Sequence, residues 1–171
     1  ICRFASYCFN RSHSCAYSWI SYLCGYLKAH YPTYYMAACL TLYSEKAEKL
    51  TTTLGAVKQM GIPLLPPDLR NSKSQFSIEI DENGQEAIRF SYNGIKGIGV
   101  ELAENLEELK DCSSFFEFLF KMNPELLRMD KMRFLIHSGV LDCFGTRKGL
   151  IEKQIQIIDD ETGHIFGAAK I

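Results

Sequence analysis

The sequence lacks the paired cysteines and clustered metal ligands that mark several common classes of protein. Its seven cysteines are odd in number, and no two have the C-x-x-C spacing of a zinc ribbon. A secreted disulfide framework would group an even number of cysteines closely, so we expect reduced thiols and a cytoplasmic location. No Asp-x-Asp occurs, and the four histidines are scattered along the chain. We therefore predict no metal site within these residues.

The sequence also lacks an apolar run long enough to span a membrane. Residues 14–27 carry no charge, but Lys28 ends the run, and a spanning helix needs about 20 apolar residues. We predict a buried helix of a soluble protein and no membrane partner. The chain begins at Ile1 without a basic stretch leading into an apolar one. We expect no signal peptide and a segment cut from a longer polypeptide.

Acidic residues are missing from the first quarter of the chain. Glu45 is the first acid, and the net charge of the 171 residues is −1, which argues against a uniformly basic nucleic-acid-binding protein. The acid-free N-terminal part could approach phosphates easily. Between residues 92 and 145 nine acids face six bases, so phosphate binding there would depend on local backbone geometry.

The spacing of apolar residues predicts a mainly α-helical chain with a small antiparallel β insert, an α+β fold. Ser12 is a plausible N-cap of the first helix, Pro32 suits the first turn of the second, and Gly61 suits the end of the third. Strands are expected at 76–80 and 87–90, joined by a turn at 81–84. Later helices are predicted at 100–109, 115–120, 129–137 and 146–158. We place domains at 1–62 and 63–158, followed by a tail or linker at 159–171.

The segment Asn93-Gly94-Ile95-Lys96-Gly97-Ile98-Gly99 has the pattern of a helix-hairpin-helix turn. Without a Cβ at Gly97 or Gly99 the backbone could approach a phosphate, and N–H groups at the next helix start would point at it. Such contacts hold the sugar-phosphate backbone and carry no sequence information. The alternative is a tight turn between a strand and a helix that binds nothing.

A second copy of this pattern lies at residues 136–142. It contains one glycine, Gly139, and Asp142 would repel a phosphate. We therefore interpret it as a structural repeat that packs on the first.

A polar cluster, Asn10-Arg11-Ser12-His13, precedes the first apolar helix. Arg11 could bind phosphate oxygens with two hydrogen bonds, and a helix start adds partial positive charge. From the residues alone, an N-cap beside a salt-bridged arginine is the preferred interpretation. Ser12 and His13 are adjacent, so on a helix their side chains diverge and form no nucleophile–base pair. We predict no catalytic residue in the chain.

The order of several short segments is more specific than any one of them. These segments are FNRSHSCAY (9–17), YLKAHYP (26–32), YMAACLT (35–41), LPPD (65–68), IKGIG (95–99) and LDCFGTR (141–147). In this order they resemble the bacterial DNA polymerase III alpha subunit, the C-family replicative polymerase. The resemblance covers about residues 4 to 158.

The resemblance implies that residues up to about 62 end the fingers domain and that a tandem helix-hairpin-helix region follows. Asn10, Arg11, Ser12 and His13 would then face the incoming nucleotide and the template. Lys96, Gly97, Ile98 and Gly99 would hold the backbone of duplex DNA. The polymerase as a whole uses magnesium. Its palm carboxylates would lie before Ile1, so the isolated chain is expected to hold no cofactor and to be inactive.

Other partners implied by the resemblance are replisome subunits and a sliding clamp. The nearest approach to a clamp-binding peptide is His164-Ile165-Phe166-Gly167, which lacks the glutamine of that motif. Two alternatives remain open: an autonomous helix-hairpin-helix DNA-binding module, and an interdomain scaffold without a catalytic role.

Overall fold

Helices account for most of the described chain. The computed structural model describes residues 11–155 except 124 and 127. Within those residues the helices are α1 (Arg11–His30), α2 (Pro32–Tyr43), α3 (Ala47–Gln59), α4 (Val100–Glu108), α5 (Phe115–Lys121), α6 (Met129–Ser138) and α7 (Arg147–Ile155). Left-handed glycines follow α3 and α6: Gly61 has φ +70° and Gly139 has φ +93°. Both lack the Cβ that makes this conformation costly, and Gly61 ends α3 as the sequence predicted.

A three-stranded sheet separates α3 from α4. Its strands are β1 (Leu64–Leu65), β2 (Ser77–Ile80) and β3 (Glu86–Arg89), in the order β1-β3-β2. β2 and β3 form the predicted antiparallel pair, with Ile78 opposite Ile88. β1 was not predicted. It pairs with β3 in parallel, so the insert is a mixed sheet. The prolines on either side of Leu64–Leu65 hold this segment extended, and it can therefore lie beside β3 as a strand.

One face of the sheet packs on α2 and α3. Their common core is a set of buried apolar side chains from both helices, from β3 and from the residue before β2, namely Met36, Ala37, Leu40, Leu50, Val57, Phe76 and Ile88. The sheet thus shares a core with the helices that precede it. The domain boundary near residue 62 stays a prediction.

A larger core holds α4 to α7 and the loop before β2 together. Leu69 from that loop is fully buried in it, and its N–H donates to Val140 O at 2.9 Å. The buried Tyr92 hydroxyl donates to Leu69 O, also at 2.9 Å. Burial raises the pKa of Tyr92 far above its ordinary value, so the hydroxyl stays protonated as a donor. Phe90 packs against both cores.

The predicted burial of the first helix is wrong. All residues of α1 are exposed, including Trp19 at 63% and Ile20 at 55%. The apolar spacing that predicted the helix also predicted a buried face, but α2 buries its own apolar residues against α3 and the sheet and leaves α1 uncovered. Ser12 lies inside α1 and is therefore not its N-cap.

Two further observations concern membranes and disulfides. None of the helices in the described ranges is both long and apolar enough to cross a membrane. The five cysteines within those ranges, Cys15, Cys24, Cys39, Cys112 and Cys143, are free thiols.

Candidate nucleic-acid interface

The first hairpin, residues 93–99, lies at the surface between β3 and α4. Two successive turns form it: Ile95 N–H donates to Tyr92 O at 2.9 Å, and Ile98 N–H donates to Ile95 O at 3.1 Å. Ile95 and Ile98 are buried in the larger core, whereas Lys96, Gly97 and Gly99 are exposed. The isoleucines therefore anchor the turn and leave its backbone open to a ligand.

The two glycines of this hairpin have different structural roles. Gly97 has φ +85°, and a Cβ there would lie 2.9 Å from Cδ2 of Phe134. Gly99 has φ −87° and ψ 174°, and no described atom lies within 4 Å of the position its Cβ would take. In the direction that a Cβ would take, Phe134 fills the space at Gly97, whereas the space at Gly99 is open. The expectation that these two glycines hold a DNA backbone stays a prediction.

The start of α4 adjoins the open side of Gly99. Gly99 is the N-cap, and the first helical bond runs from Ala103 N–H to Gly99 O. An α-helix leaves the N–H groups of its first residues without intrahelical acceptors. The first three residues of α4 line a cleft of about 300 Å³ together with Gly99, Leu126 and Lys131.

Opposite charges meet at this cleft. The half-buried Lys131 from α6 supplies a cation to it. Lys96 is exposed on the turn before Gly99 and does not line the cleft. Glu101, in the first turn of α4, supplies a carboxylate to the same cleft. The free N–H groups and Lys131 favour an anion there, and Glu101 opposes it.

The second hairpin, between α6 and α7, is closed by its own side chains. Arg147 donates to Asp142 through Nη2 (2.8 Å to Oδ2) and Nε (3.0 Å to Oδ1), and its Nη1 donates to His137 O at 3.2 Å. Thr146 Oγ1 accepts from Gly149 N–H at 3.3 Å and so caps α7. A Cβ at Gly139 would lie 2.7 Å from Nη2 of Arg147. One N–H at the start of α7 thus has a side-chain acceptor and Arg147 is paired with Asp142, whereas α4 begins without a side-chain cap.

Both hairpins rest on the same core. Val140 and Leu141 of the second hairpin are buried in it beside Ile95 and Ile98 of the first. Phe134, which meets Gly97, belongs to α6. This packing agrees with the interpretation of residues 136–142 as a structural repeat.

The N-terminal polar cluster is only partly described. Asn10 lies outside the described residues. Arg11, Ser12 and His13 are exposed on the first turn of α1, and the His13 and Tyr17 rings lie 4.5 Å apart between centroids. Because the whole of α1 is exposed, the structure does not pack these three residues against the hairpins.

Two further points concern the sliding clamp and metal ions. The sliding-clamp segment, residues 164–167, lies outside the described residues. Among residues that the structure does describe, no three His, Cys, Asp or Glu side chains converge as metal ligands.

Sequence reasoning missed Lys131 and Phe134 as members of the site. Both lie on α6, more than 30 positions from the hairpin they adjoin. Helical periodicity gives the face on which a residue lies but not the distant turn that this face will meet, so the sequence held no signal for either.

Comparison with known proteins agrees with this geometry. A family model described as a helix-hairpin-helix motif matches residues 61–150. The chain belongs to the helix-hairpin-helix family. The matched range includes the sheet, both hairpins and most of their core, so family membership covers the part of the chain that forms the candidate interface.

Curated relatives extend the similarity beyond the helix-hairpin-helix region. The DNA polymerase III subunit alpha of Campylobacter jejuni is 36% identical over 156 residues, which are 89% of this chain and 13% of the relative. That of Chlamydia pneumoniae is 37% identical over 90% of this chain and 12% of its own length. That of Bacillus subtilis is 34% identical over 92% of this chain and 14% of its own length. The predicted resemblance is confirmed, and the chain spans about an eighth of these relatives.

Proposed function

We propose that this chain is part of a replicative DNA polymerase and that its first hairpin binds the backbone of duplex DNA without reading sequence. The observation that carries the proposal is the open side of Gly99 beside the start of α4 and Lys131. The similarity to DNA polymerase III alpha subunits over most of the chain supports it.

The proposed contact is a phosphate held by main-chain N–H groups. The N–H groups of the first turn of α4 would donate to its oxygens, and the helix start adds partial positive charge. Lys96 and Lys131 would pair with the same or a neighbouring phosphate. Because acids outnumber bases in this half of the chain, we expect few phosphate contacts and weak binding. The logarithm of the binding constant should fall with the logarithm of salt concentration by about 0.9 for each contact.

The fingers assignment belongs to the same proposal. Residues up to about 62 would complete the fingers, with Asn10, Arg11, Ser12 and His13 facing the incoming nucleotide and the template. The exposed, acid-free start of α1 supports this, since a triphosphate would meet no repelling carboxylate there. Sliding-clamp and replisome contacts would belong to the whole polymerase.

The proposed reaction of the whole polymerase is template-directed nucleotidyl transfer. Two magnesium ions would bind and orient the phosphates in that reaction. The described residues provide no convergent set of ligands for them, so we assign no residue of this chain to the metal. We propose that the isolated chain does not incorporate nucleotides.

Gly99→Asp and Gly99→Asn form a matched test of the duplex-binding proposal. The φ and ψ of Gly99 suit any residue, and Asp and Asn are equally good N-caps, so both variants should keep or raise the stability of α4. Only Asp adds a negative charge beside the proposed phosphate. We expect Gly99→Asp to weaken binding of labelled duplex DNA at low salt by about tenfold more than Gly99→Asn.

The number of contacts can be read from the salt dependence of the same binding. Lys131→Gln should reduce the slope of log K against log salt concentration by about one. Equal duplex affinity for Gly99→Asp and the unaltered chain would remove the hairpin from the mechanism. An unaltered chain with no duplex affinity would favour an interdomain scaffold.

A further inference from the structure

Glu101 supplies a carboxylate to the cleft in which we propose that a DNA phosphate binds. It lines this cleft together with Lys131, and the other four lining residues carry no charge. None of the ion pairs within the described residues involves Glu101 or Lys131, so neither charge is neutralised by direct contact with the other. An anion in the cleft would therefore meet one cation and one opposing carboxylate.

The other acids of α4 lie outside this cleft. Glu104 and Glu108 are exposed and do not line it, and the Glu107 carboxylate accepts a hydrogen bond from Ser74 N–H. Glu108 is seven positions after Glu101, which is about 10 Å along the helix axis. An effect of the Glu101 charge on a bound anion can therefore be separated from the general acidity of α4.

We infer that Glu101 makes the cleft selective for the phosphodiester of a DNA backbone over free anions of higher charge, such as pyrophosphate. The inference rests on the proposed duplex contact and adds a specificity-determining residue to it. Specificity is a difference between two affinities, and repulsion of a competitor contributes to it as much as attraction of the ligand. Nucleotidyl transfer, the reaction proposed for the whole polymerase, releases pyrophosphate, so this competitor forms wherever that reaction takes place.

The charges of the two ligands differ enough for one carboxylate to discriminate between them. Each phosphate of a duplex carries one negative charge, and condensed counterions offset part of it. A single phosphomonoester already carries about 1.5–2 negative charges near pH 7, and pyrophosphate has a second phosphoryl group. Because Coulomb repulsion is proportional to charge, Glu101 should cost pyrophosphate at least about twice the free energy that it costs a backbone phosphate.

Glu101→Gln tests the selectivity, because it removes the charge and keeps the shape of the side chain. A doubled free energy corresponds to a squared ratio of affinities. If the variant binds labelled duplex DNA about threefold more tightly, the inhibition constant of pyrophosphate should therefore fall about ninefold or more. Both quantities can be measured with the full chain by fluorescence anisotropy, at constant ionic strength and without divalent cations that would bind pyrophosphate.

Glu108→Gln is the matched control, since it makes the same change of charge on the same helix outside the cleft. It should alter the duplex and pyrophosphate affinities by the same small factor. A second measurement locates the anion: in Glu101→Gln, pyrophosphate should shift the backbone amide NMR signals of residues 100–102, and in the unaltered chain it should shift them much less at the same concentration.

Three outcomes would overturn the inference: equal gains for duplex and pyrophosphate in Glu101→Gln, no gain for either ligand, or the same selective gain in Glu108→Gln. In each of these cases a difference between Gly99→Asp and Gly99→Asn would still support the duplex contact. Equal duplex affinity of those two Gly99 variants would instead remove the duplex contact, and the inference with it.

Discussion

Replacing Gly97 by alanine tests the contact between the first hairpin and Phe134. A non-glycine residue at φ +85° costs about 1 kcal/mol of conformational strain. The new methyl group would also lie 2.9 Å from Cδ2 and 3.0 Å from Cε2 of Phe134, and overpacking of this kind costs about 1–3 kcal/mol. We expect the free energy of unfolding to fall by about 2–4 kcal/mol, measured by urea denaturation with circular dichroism.

The control for Gly97→Ala is Gly99→Ala in the same turn. Gly99 has an ordinary φ of −87° and open space, so its substitution should cost only the loss of glycine as the N-cap of α4, about 1 kcal/mol or less. Adding Phe134→Ala to Gly97→Ala should remove the collision but keep the strain. The double variant should therefore be less destabilised than the sum of the single variants, by about 1 kcal/mol or more. Equal stability of Gly97→Ala and Gly99→Ala would refute the assigned difference between the two glycines.

Two further predictions concern the core and a helix start. Tyr92→Phe should lower the free energy of unfolding by about 1–2 kcal/mol in the same urea assay, because Leu69 O loses a buried donor. A decrease of only about 0.3 kcal/mol would contradict this prediction. Hydrogen bonds from Lys121 and Ser113 lower the pKa of Glu117 to about 2. The contribution of the ionised Glu117 carboxylate to the free energy of unfolding should thus be complete above the ordinary glutamate pKa and lost as pH falls towards 2. Lys121→Gln should raise the pKa of Glu117 measured by NMR. An ordinary glutamate pKa for Glu117 in the unaltered chain would contradict the hydrogen bonds from Lys121 and Ser113.

Local features of the sequence were sufficient to predict most helices and the β2–β3 pair. Gly61 and Gly139 end α3 and α6 in left-handed conformations, and at Asp81–Gly84 the Asp81 carboxylate accepts from two nearby N–H groups. These signals act within a few residues, so they can be read without knowledge of the fold. Membership of the helix-hairpin-helix family was likewise visible in the pattern around Gly97 and Gly99.

Features that depend on distant contacts were not predictable. The exposure of α1 depends on what covers its apolar face, and the role of Gly97 depends on Phe134, 37 positions further along the sequence. β1 pairs with β3 across more than 20 residues and contains two residues, too few to show a strand period. In each case the sequence specified the local conformation but not the partner.

The two hairpins show how one fold can support unequal roles. In the second hairpin, Arg147, Asp142 and Thr146 supply the charge pairing and the helix cap that a phosphate would otherwise provide. In the first hairpin, Gly99 has no side chain to cap α4, and Lys131 lines the cleft beside the free N–H groups. A ligand at the second hairpin would have to displace existing bonds, whereas a ligand at the first would satisfy groups that lack protein acceptors. The common core and the closeness of Phe134 to Gly97 therefore suit the second hairpin to hold the first in position, and the open start of α4 suits the first to the DNA contact that we propose.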